Sequence, residues 1–279
     1  MLQTSALLAD SLANRLIETF IRSYGRTVAP QAELLGEAAR LVIERLSLSD
    51  ALYHTAEHTA LVTLVAQDIL RGRRLRTDVP PDMWLHVVLA ALTHDIGYLR
   101  GASDAALAPY HVDRSKICVR ERFTFNPAIE PERLARNIEL TRFPVPEDED
   151  HAATDTEAAF VRAADLIGQL GDPLYPRKLN ALFHEFEEIG VNKLLGYATP
   201  ADVADHYPRF FWSKVEPFLG AAVHALNMTA EGRLWLANLY SHVCVMEHGR
   251  QAMGPNQARA ATNDGLVLRN LMTSAPRNR

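Results

Sequence analysis

Apolar residues recur at spacings of three and four along almost the whole chain of 279 residues. This spacing is the period of an amphipathic helix, whereas the alternation typical of β-strands is nearly absent. The pattern therefore predicts an all-α fold, with breaks rich in glycine and proline between the periodic stretches. The predicted helices cover about residues 5–24, 31–47, 51–71, 82–96, 108–124, 131–141, 156–170, 175–189, 208–226 and 229–251.

The composition narrows the class of protein. Apolar residues make up 48% of the chain, and no apolar run approaches the about 18 residues that a membrane-spanning helix needs. The first predicted helix carries Asp10, Arg15 and Glu18 and has no basic start, so it does not resemble a signal peptide. The net charge of −5 offers no electrostatic surface for nucleic acid. We therefore expect a cytoplasmic protein with neither a membrane nor a nucleic-acid partner.

The stretch YHTAEHT places His54 and His58 four residues apart in the predicted helix 51–71. Both imidazoles extend the apolar stripe of that helix, because steps of three and four residues keep side chains on one face. Two histidines at this spacing can reach one metal ion. A structural pair near a helix start is the alternative interpretation.

A second polar pair, His94 and Asp95, ends the very apolar helix predicted over 82–96. A carboxylate is disfavoured at a helix C-terminus, where the macrodipole is negative, unless a cation compensates it. A bound metal would provide that cation, and so would Arg100. Adjacent His and Asp side chains are common ligands of divalent metals that accept both nitrogen and oxygen donors.

Together these pieces resemble the signature of the HD-domain metal-dependent phosphohydrolases. YHTAEHTALV resembles the Tyr-His-Asn-x-x-His motif of class I cyclic-nucleotide phosphodiesterases, with Thr55 at the Asn position. LTHDIGY matches the His-Asp pair, and VRAADLIGQLGDP resembles the helix that carries the last aspartate. The resemblance implies one HD-type helical domain over 1–279, with its core at about 50–175 and flanking helices in 1–49 and 176–279.

The resemblance also implies roles for individual residues. His58, His94, Asp95 and Asp165 match the metal ligands, and His54 matches the general acid. A histidine beside the metal, with an ordinary pKa near 6.5, can protonate a leaving alkoxide. The implied catalytic set is therefore His54, Asp95 and Asp165, with Asp165 orienting the attacking water.

Periodicity alone would not select Asp165. On its helix this residue lies toward Arg162 and Gln169, away from the apolar stripe, so a solvated ion pair with Arg162 is the alternative. Asp172 is the reserve candidate for the last ligand.

The residues that HD proteins use for a second metal site are only partly present in this sequence. Some HD proteins use two further histidines for it, and His111 matches the first, but Thr141 or Glu139 stands where the second is expected. A second ion held mainly by water and bridged by Asp95 stays open. One or two divalent ions are expected, drawn from Mn, Fe, Zn, Co, Ni and Mg. The further histidine that phosphodiesterases carry after the His-Asp pair is missing.

The expected function is metal-dependent hydrolysis of a small phosphoester, as by a phosphodiesterase or a nucleotide phosphatase, through a metal-activated water. One alternative is a non-catalytic regulatory module that binds a metal or a nucleotide. Another is a di-iron oxygenase of HD type, which needs a fuller set of histidines. Arg100 and Lys178 could contact substrate phosphate, with surface solvation as the alternative. No particular oligomeric state follows from the pattern.

Two further expectations concern residues around this core. The acidic segment 144–155 is expected to be either a lid or a solvated connector. His86, two turns before His94, is expected to be a partly buried structural residue.

Overall fold

The computed structural model describes residues 4–99, 110–188 and 190–252. Within these ranges the chain forms thirteen α-helices and no strand, which confirms the all-α prediction. None of the described helices is both long and apolar enough to cross a membrane. The helices are α1 (Thr4–Tyr24), α2 (Ala29–Leu46), α3 (Ala56–Arg74), α4 (Pro81–Thr93), α5 (His111–Phe123), α6 (Pro131–Glu139), α7 (Glu149–Ala152), α8 (Glu157–Leu170), α9 (Tyr175–Glu188), α10 (Val191–Leu195), α11 (Pro200–Phe210), α12 (Gly220–Leu226) and α13 (Ala230–Ala252).

Helices α3, α4 and α8 pack on one another at the centre of the fold, and α1, α2, α12 and α13 contact this centre. Trp84 of α4 is fully buried, with its ring centroid 5.8 Å from that of Phe20 in α1. Gly168 of α8 permits close approach to α3, since a Cβ at this position would lie 2.8 Å from the Cα of Val62. The close packing of α3 against α8 brings polar residues of the two helices together.

Helix α3 begins at Ala56, so the predicted start at residue 51 is wrong. Thr55 has an extended backbone and acts as the N-cap, and its hydroxyl accepts the His58 N–H at 3.4 Å. A capping threonine satisfies an N–H that has no partner inside the helix and marks where the helix starts. His58 therefore lies in the first turn of α3, while His54 precedes the helix.

The predicted single helix over 208–226 is also wrong. The chain continues from α11 into a π-helical turn at Phe211–Val215 and a 3-10 turn at Glu216–Phe218 before α12 begins. Pro217 lies in the 3-10 turn, where its missing N–H and its ring oppose regular α-helix.

Helix α11 starts inside a stretch that the sequence predicts as a break. Thr199 is the N-cap, and its N–H donates to the Asp202 carboxylate at 2.7 Å. Pro200 follows at the first helical position, where proline is well tolerated. The Thr-Pro pair therefore marks the start of α11, within a stretch predicted to be a break between helices.

The acidic segment 144–155 contains the short helix α7, and its end is attached to α8. The buried Arg162 donates to the backbone carbonyls of His151 and Ala153, both at 2.6 Å. Its guanidinium lies 4.2 Å from the ring centroid of Phe218. These contacts describe an anchored connector at this end of the segment.

Candidate metal centre

Four side chains from three parts of the chain meet in the interior and form what we call the His/Asp cluster: His58, His94, Asp95 and Asp165. His58 belongs to α3, His94 and Asp95 directly follow α4, and Asp165 belongs to α8. The Nε2 of His58 lies 3.4 Å from both Asp95 Oδ2 and Asp165 Oδ1. The Nε2 of His94 lies 3.1 Å from Asp95 Oδ2 and 3.5 Å from Asp165 Oδ1. The fold thus brings together all four residues that the sequence selects as ligands.

Asp165 faces the cluster, and the ion pair with Arg162 is not formed. Helix α8 is buried on most of its circumference between its neighbours, so Arg162 also points inward, to backbone carbonyls. The reserve candidate Asp172 is paired elsewhere, because one of its carboxylate oxygens lies 2.7 Å from Lys178 Nζ. Lys178 also donates to Glu57 at 2.9 Å. This lysine, which the sequence suggests as a contact for substrate phosphate, is therefore already paired with two carboxylates.

Three ligand atoms of the cluster are buried without a partner. The side chains of His58, His94 and Asp95 are 4%, 1% and 2% exposed. The two histidine Nε2 atoms and Asp95 Oδ2 make no hydrogen bond within the described part of the chain. Buried polar atoms are nearly always paired, so three orphans in one place indicate a missing common partner.

The spacing of the ligand atoms fits a metal ion. Nitrogen and oxygen donors bind Zn²⁺ and similar ions at about 2.0–2.2 Å, so two donors on one ion lie roughly 3.0–3.5 Å apart. The four measured distances between 3.1 and 3.5 Å agree with this spacing. The Nδ1 of His94 donates to the Ala91 carbonyl at 2.7 Å, which leaves its Nε2 available as a ligand. The cluster could therefore bind a metal ion.

The electrostatics of the cluster favour a positive charge at its centre. Burial opposes ionisation of Asp95, but the nearby His94 and His54 outweigh it and lower the pKa of Asp95. The pKa of Asp165 is lowered against burial in the same way by His94 and His58. Burial would lower the pKa of His94, yet Asp95 and Asp165 raise it well above its ordinary value. A proton or a metal ion can supply the charge that these carboxylates attract.

His54 lies beside the cluster but does not share a helical stripe with His58, and that prediction is wrong. The Thr55 cap starts the helix after His54. Even so, the ring centroids of His54 and His58 are only 5.3 Å apart. One ring nitrogen of His54 lies within 4.8 Å of ligand atoms of both His58 and Asp95. The ring of Tyr98 stacks on that of His54, with the ring centroids 4.5 Å apart.

Glu185 of α9 holds His54 in place. Its Oε2 lies 2.6 Å from His54 Nδ1, and its Oε1 accepts the N–H groups of Tyr53 at 2.6 Å and of His54 at 3.2 Å. An ionised carboxylate only accepts hydrogen bonds, so Nδ1 carries a hydrogen and Nε2 is the nitrogen free to act. Burial would lower the pKa of His54, but Asp95 and the bond to Glu185 raise it.

Glu185 was missed in the sequence. It lies three residues after the buried Leu182 of α9, so it belongs to the inward face of that helix although it is charged. A carboxylate on an apolar helical face is the signal that could have identified it.

The cluster is most open on the side of His54 and Asp165. Their side chains are 18% and 19% exposed, whereas the other three stay at 4% or below. Solvent therefore reaches this part of the interior at Asp165 and His54. Arg100, the other predicted phosphate contact, lies outside the described residues.

The residues considered for a second histidine-rich site do not join the cluster. His111 stacks on Tyr98, with ring centroids 4.5 Å apart. Thr141 donates its hydroxyl to a backbone carbonyl of α6 at 2.8 Å, and Glu139 is paired with Arg142 at 2.5 Å. Neither position supplies the missing histidine.

His86 is fully buried, whereas partial burial was expected, and its hydrogen bonds agree with a structural role. Its Nδ1 donates to the Asp82 carbonyl at 2.8 Å, and its Nε2 accepts the Glu130 N–H at 2.9 Å. The side chains of Asp82, His86 and Glu130 are close enough to hold a metal. Because both ring nitrogens of His86 are already used, this group is not a comparable metal site.

These features define an all-α protein with a buried His/Asp cluster that could bind a metal ion. The chain belongs to the Npun_R2479-like family, whose model matches residues 2–102 and 100–249. No curated protein and no solved structure matches the chain.

Proposed function

We propose that the chain is a metal-dependent hydrolase of small phosphoesters, with nucleotides as the first candidates. The observation that carries the proposal is the set of three buried ligand atoms without partners, beside an imidazole that a carboxylate holds. The order of the ligands along the chain, His58, then His94 and Asp95, then Asp165, supports a relation to the HD-domain phosphohydrolases.

The His/Asp cluster would hold one divalent metal through four protein ligands. When bound, such an ion lowers the pKa of a water and polarises a phosphoryl oxygen. The nearly complete burial of His58, His94 and Asp95 keeps competing water away from these ligands. The exposed edge of Asp165 leaves a route for substrate and for the attacking water, which this carboxylate would orient.

His54 would act as the general acid. Glu185 binds its Nδ1, fixes the orientation of the ring and favours the protonated imidazole, in the way that a carboxylate orients a catalytic histidine. Its Nε2 is then free to hold a proton on the open side of the cluster. Transfer of that proton to the leaving oxygen as the P–O bond breaks would let the group depart as a neutral alcohol instead of an alkoxide.

The first test is elemental analysis of the purified protein, followed by assays with phosphomonoesters, phosphodiesters, cyclic nucleotides and nucleoside phosphates. Each assay is run with Mn, Fe, Co, Ni, Zn or Mg. We expect at least one bound metal per chain and metal-dependent release of phosphate or alcohol from one class of ester.

A matched pair of variants gives the control. Asp165→Asn should lose metal and hydrolysis, whereas Asp172→Asn changes a buried carboxylate on the same stretch that is paired with Lys178, and should retain both. Metal-loaded protein that hydrolyses no ester but binds a nucleotide would favour the regulatory module. Two irons per chain with oxygen consumption would favour the oxygenase.

A further inference from the structure

The turn that carries Asp95 leaves backbone groups that α4 cannot satisfy. Helix α4 ends at Thr93, and the last carbonyls of a helix have no partner within it. A 3-10 turn follows at Ile96–Tyr98, closed by the bond from Tyr98 N–H to the Asp95 carbonyl at 2.9 Å. The carbonyl of His94 and the N–H of Gly97 point away from this turn toward α5.

One hydroxyl satisfies both groups. Ser115 Oγ of α5 donates to the His94 carbonyl at 2.6 Å and accepts the Gly97 N–H at 2.9 Å. A serine hydroxyl has one hydrogen to donate and lone pairs to accept, so a single side chain can do this. Ser115 is 0% exposed, so water does not replace it. The backbone on both sides of Asp95 is thus tied to one atom.

Helix α5 reaches this turn because residue 97 is glycine. A Cβ there would lie 2.0 Å from the His111 carbonyl oxygen and 2.9 Å from Ser115 Oγ, which no side chain tolerates without movement. Arg114 adds a hydrogen bond to the Gly97 carbonyl. The start of α5 therefore lies directly on the turn, and Ser115 is its central contact.

We propose that Ser115 is a positioning residue of the metal centre, which sets metal affinity by fixing the backbone around Asp95. This inference rests on the metal binding in the proposed function. Asp95 Oδ2 lies within 3.4 Å of both histidine Nε2 atoms, so a small rotation of its backbone would remove it from that arrangement. Partners that orient metal ligands typically change metal affinity or activity by about 10–100-fold when they are replaced.

The test is a titration of the metal-free protein with Co²⁺, monitored through the visible absorption of the bound ion. Ser115→Ala should raise the Kd for Co²⁺ at least about tenfold and alter the absorption bands, because Asp95 is no longer held. Ser23→Ala is the matched control, since it removes a hydroxyl that donates to the Thr19 carbonyl at 2.8 Å, far along the chain from any ligand. Its Kd and spectrum should equal those of the wild type.

The outcomes separate this inference from the proposed function. A wild-type protein that binds no Co²⁺ contradicts the metal centre itself. Tight binding by the wild type with an unchanged Kd and spectrum in Ser115→Ala contradicts only the role of Ser115, even if the melting temperature falls. If Ser115→Ala does not fold, Ser115→Thr replaces it in the test. This variant keeps the hydroxyl, so it should bind Co²⁺ with a Kd within about threefold of the wild-type value. A folded Ser115→Thr protein with a tenfold weaker Kd overturns the proposal.

Discussion

Two buried histidines, one inside α4 and one directly after it, differ in what their Nε2 atoms contact. His86 lies in α4 and His94 directly after it, and both are 1% exposed. Each donates Nδ1 to a backbone carbonyl of the preceding turn. The Nε2 of His86 accepts a backbone N–H, whereas the Nε2 of His94 has no hydrogen bond within the described residues and lies beside two carboxylates.

This difference separates an imidazole with complete hydrogen bonds from one that could bind a metal ion. Residue type and burial are the same for His86 and His94, so neither property distinguishes the two side chains. A buried nitrogen whose hydrogen bonds are complete stabilises the fold, while one left unpaired among carboxylates can bind a cation. Replacement of these residues and addition of metal test this distinction, in order of decreasing expected effect.

Replacement of His94 by alanine should abolish metal binding and the proposed hydrolysis. The change removes one of four protein ligands, and even loss of an outer partner costs about 10–100-fold, so more than about 100-fold is expected here. Elemental analysis and turnover of the best ester measure the effect. Full metal content in His94→Ala would exclude this residue as a ligand.

Replacement of His54 by glutamine should reduce kcat by about 10²–10⁴-fold while metal content stays unchanged, because loss of a general acid affects the chemical step. Glu185→Gln should show a smaller loss of kcat, since the neutral amide still accepts a hydrogen bond from Nδ1. Loss of metal together with activity in His54→Gln would instead assign His54 to the ligands.

Addition of the metal should stabilise the wild-type protein. An ion that binds only the folded state at 100 times its Kd adds about 2.7 kcal/mol to the free energy of unfolding. Denaturant unfolding with and without metal measures this gain, and it should disappear in Asp165→Asn. An equal gain in Asp165→Asn would mean that the ion binds somewhere other than the His/Asp cluster.

Replacement of His86 by alanine should have the smallest effect on the site. It leaves the Glu130 N–H without its acceptor, which costs about 1–3 kcal/mol of folding free energy. Chemical denaturation measures the loss, and metal content should equal that of the wild type. A metal-free but stable His86→Ala protein would reverse the roles of the two histidines.

The sequence predicted the fold class and most helices because the three-and-four spacing is a local property. It did not predict the start of α3, since the cap at Thr55 competes with an apolar pattern that continues upstream. The sequence pattern also did not predict that Asp165 points toward the other residues of the His/Asp cluster. Helix α8 is buried on so many sides that no single stripe marks the inward face.

Glu185 was not predicted because its contact joins parts of the chain that are far apart in the sequence. Its partner His54 is far away in the sequence, and only the packing of α9 brings the two together. Helical spacing and the His-Asp pair at the end of an apolar helix suggested a metal site with His54, His58, His94 and Asp95. The family resemblance then assigned His54 as the general acid and His58, His94 and Asp95 as ligands. The fold brings all three together with Asp165, while metal binding and catalysis by these residues stay predictions.

If the four residues of the His/Asp cluster bind a metal ion, their wide separation along the chain would affect when that ion can be captured during synthesis. His58, His94 and Asp95 leave the ribosome long before Asp165, which α8 supplies. A nascent chain that ends before α8 therefore offers an incomplete site with three ligands. A complete site does not exist in the unfolded chain. The free energy of ion binding would therefore stabilise only a chain in which α3, α4 and α8 have assembled. Metal supply would then act on the newly folded protein and not on its earlier fragments.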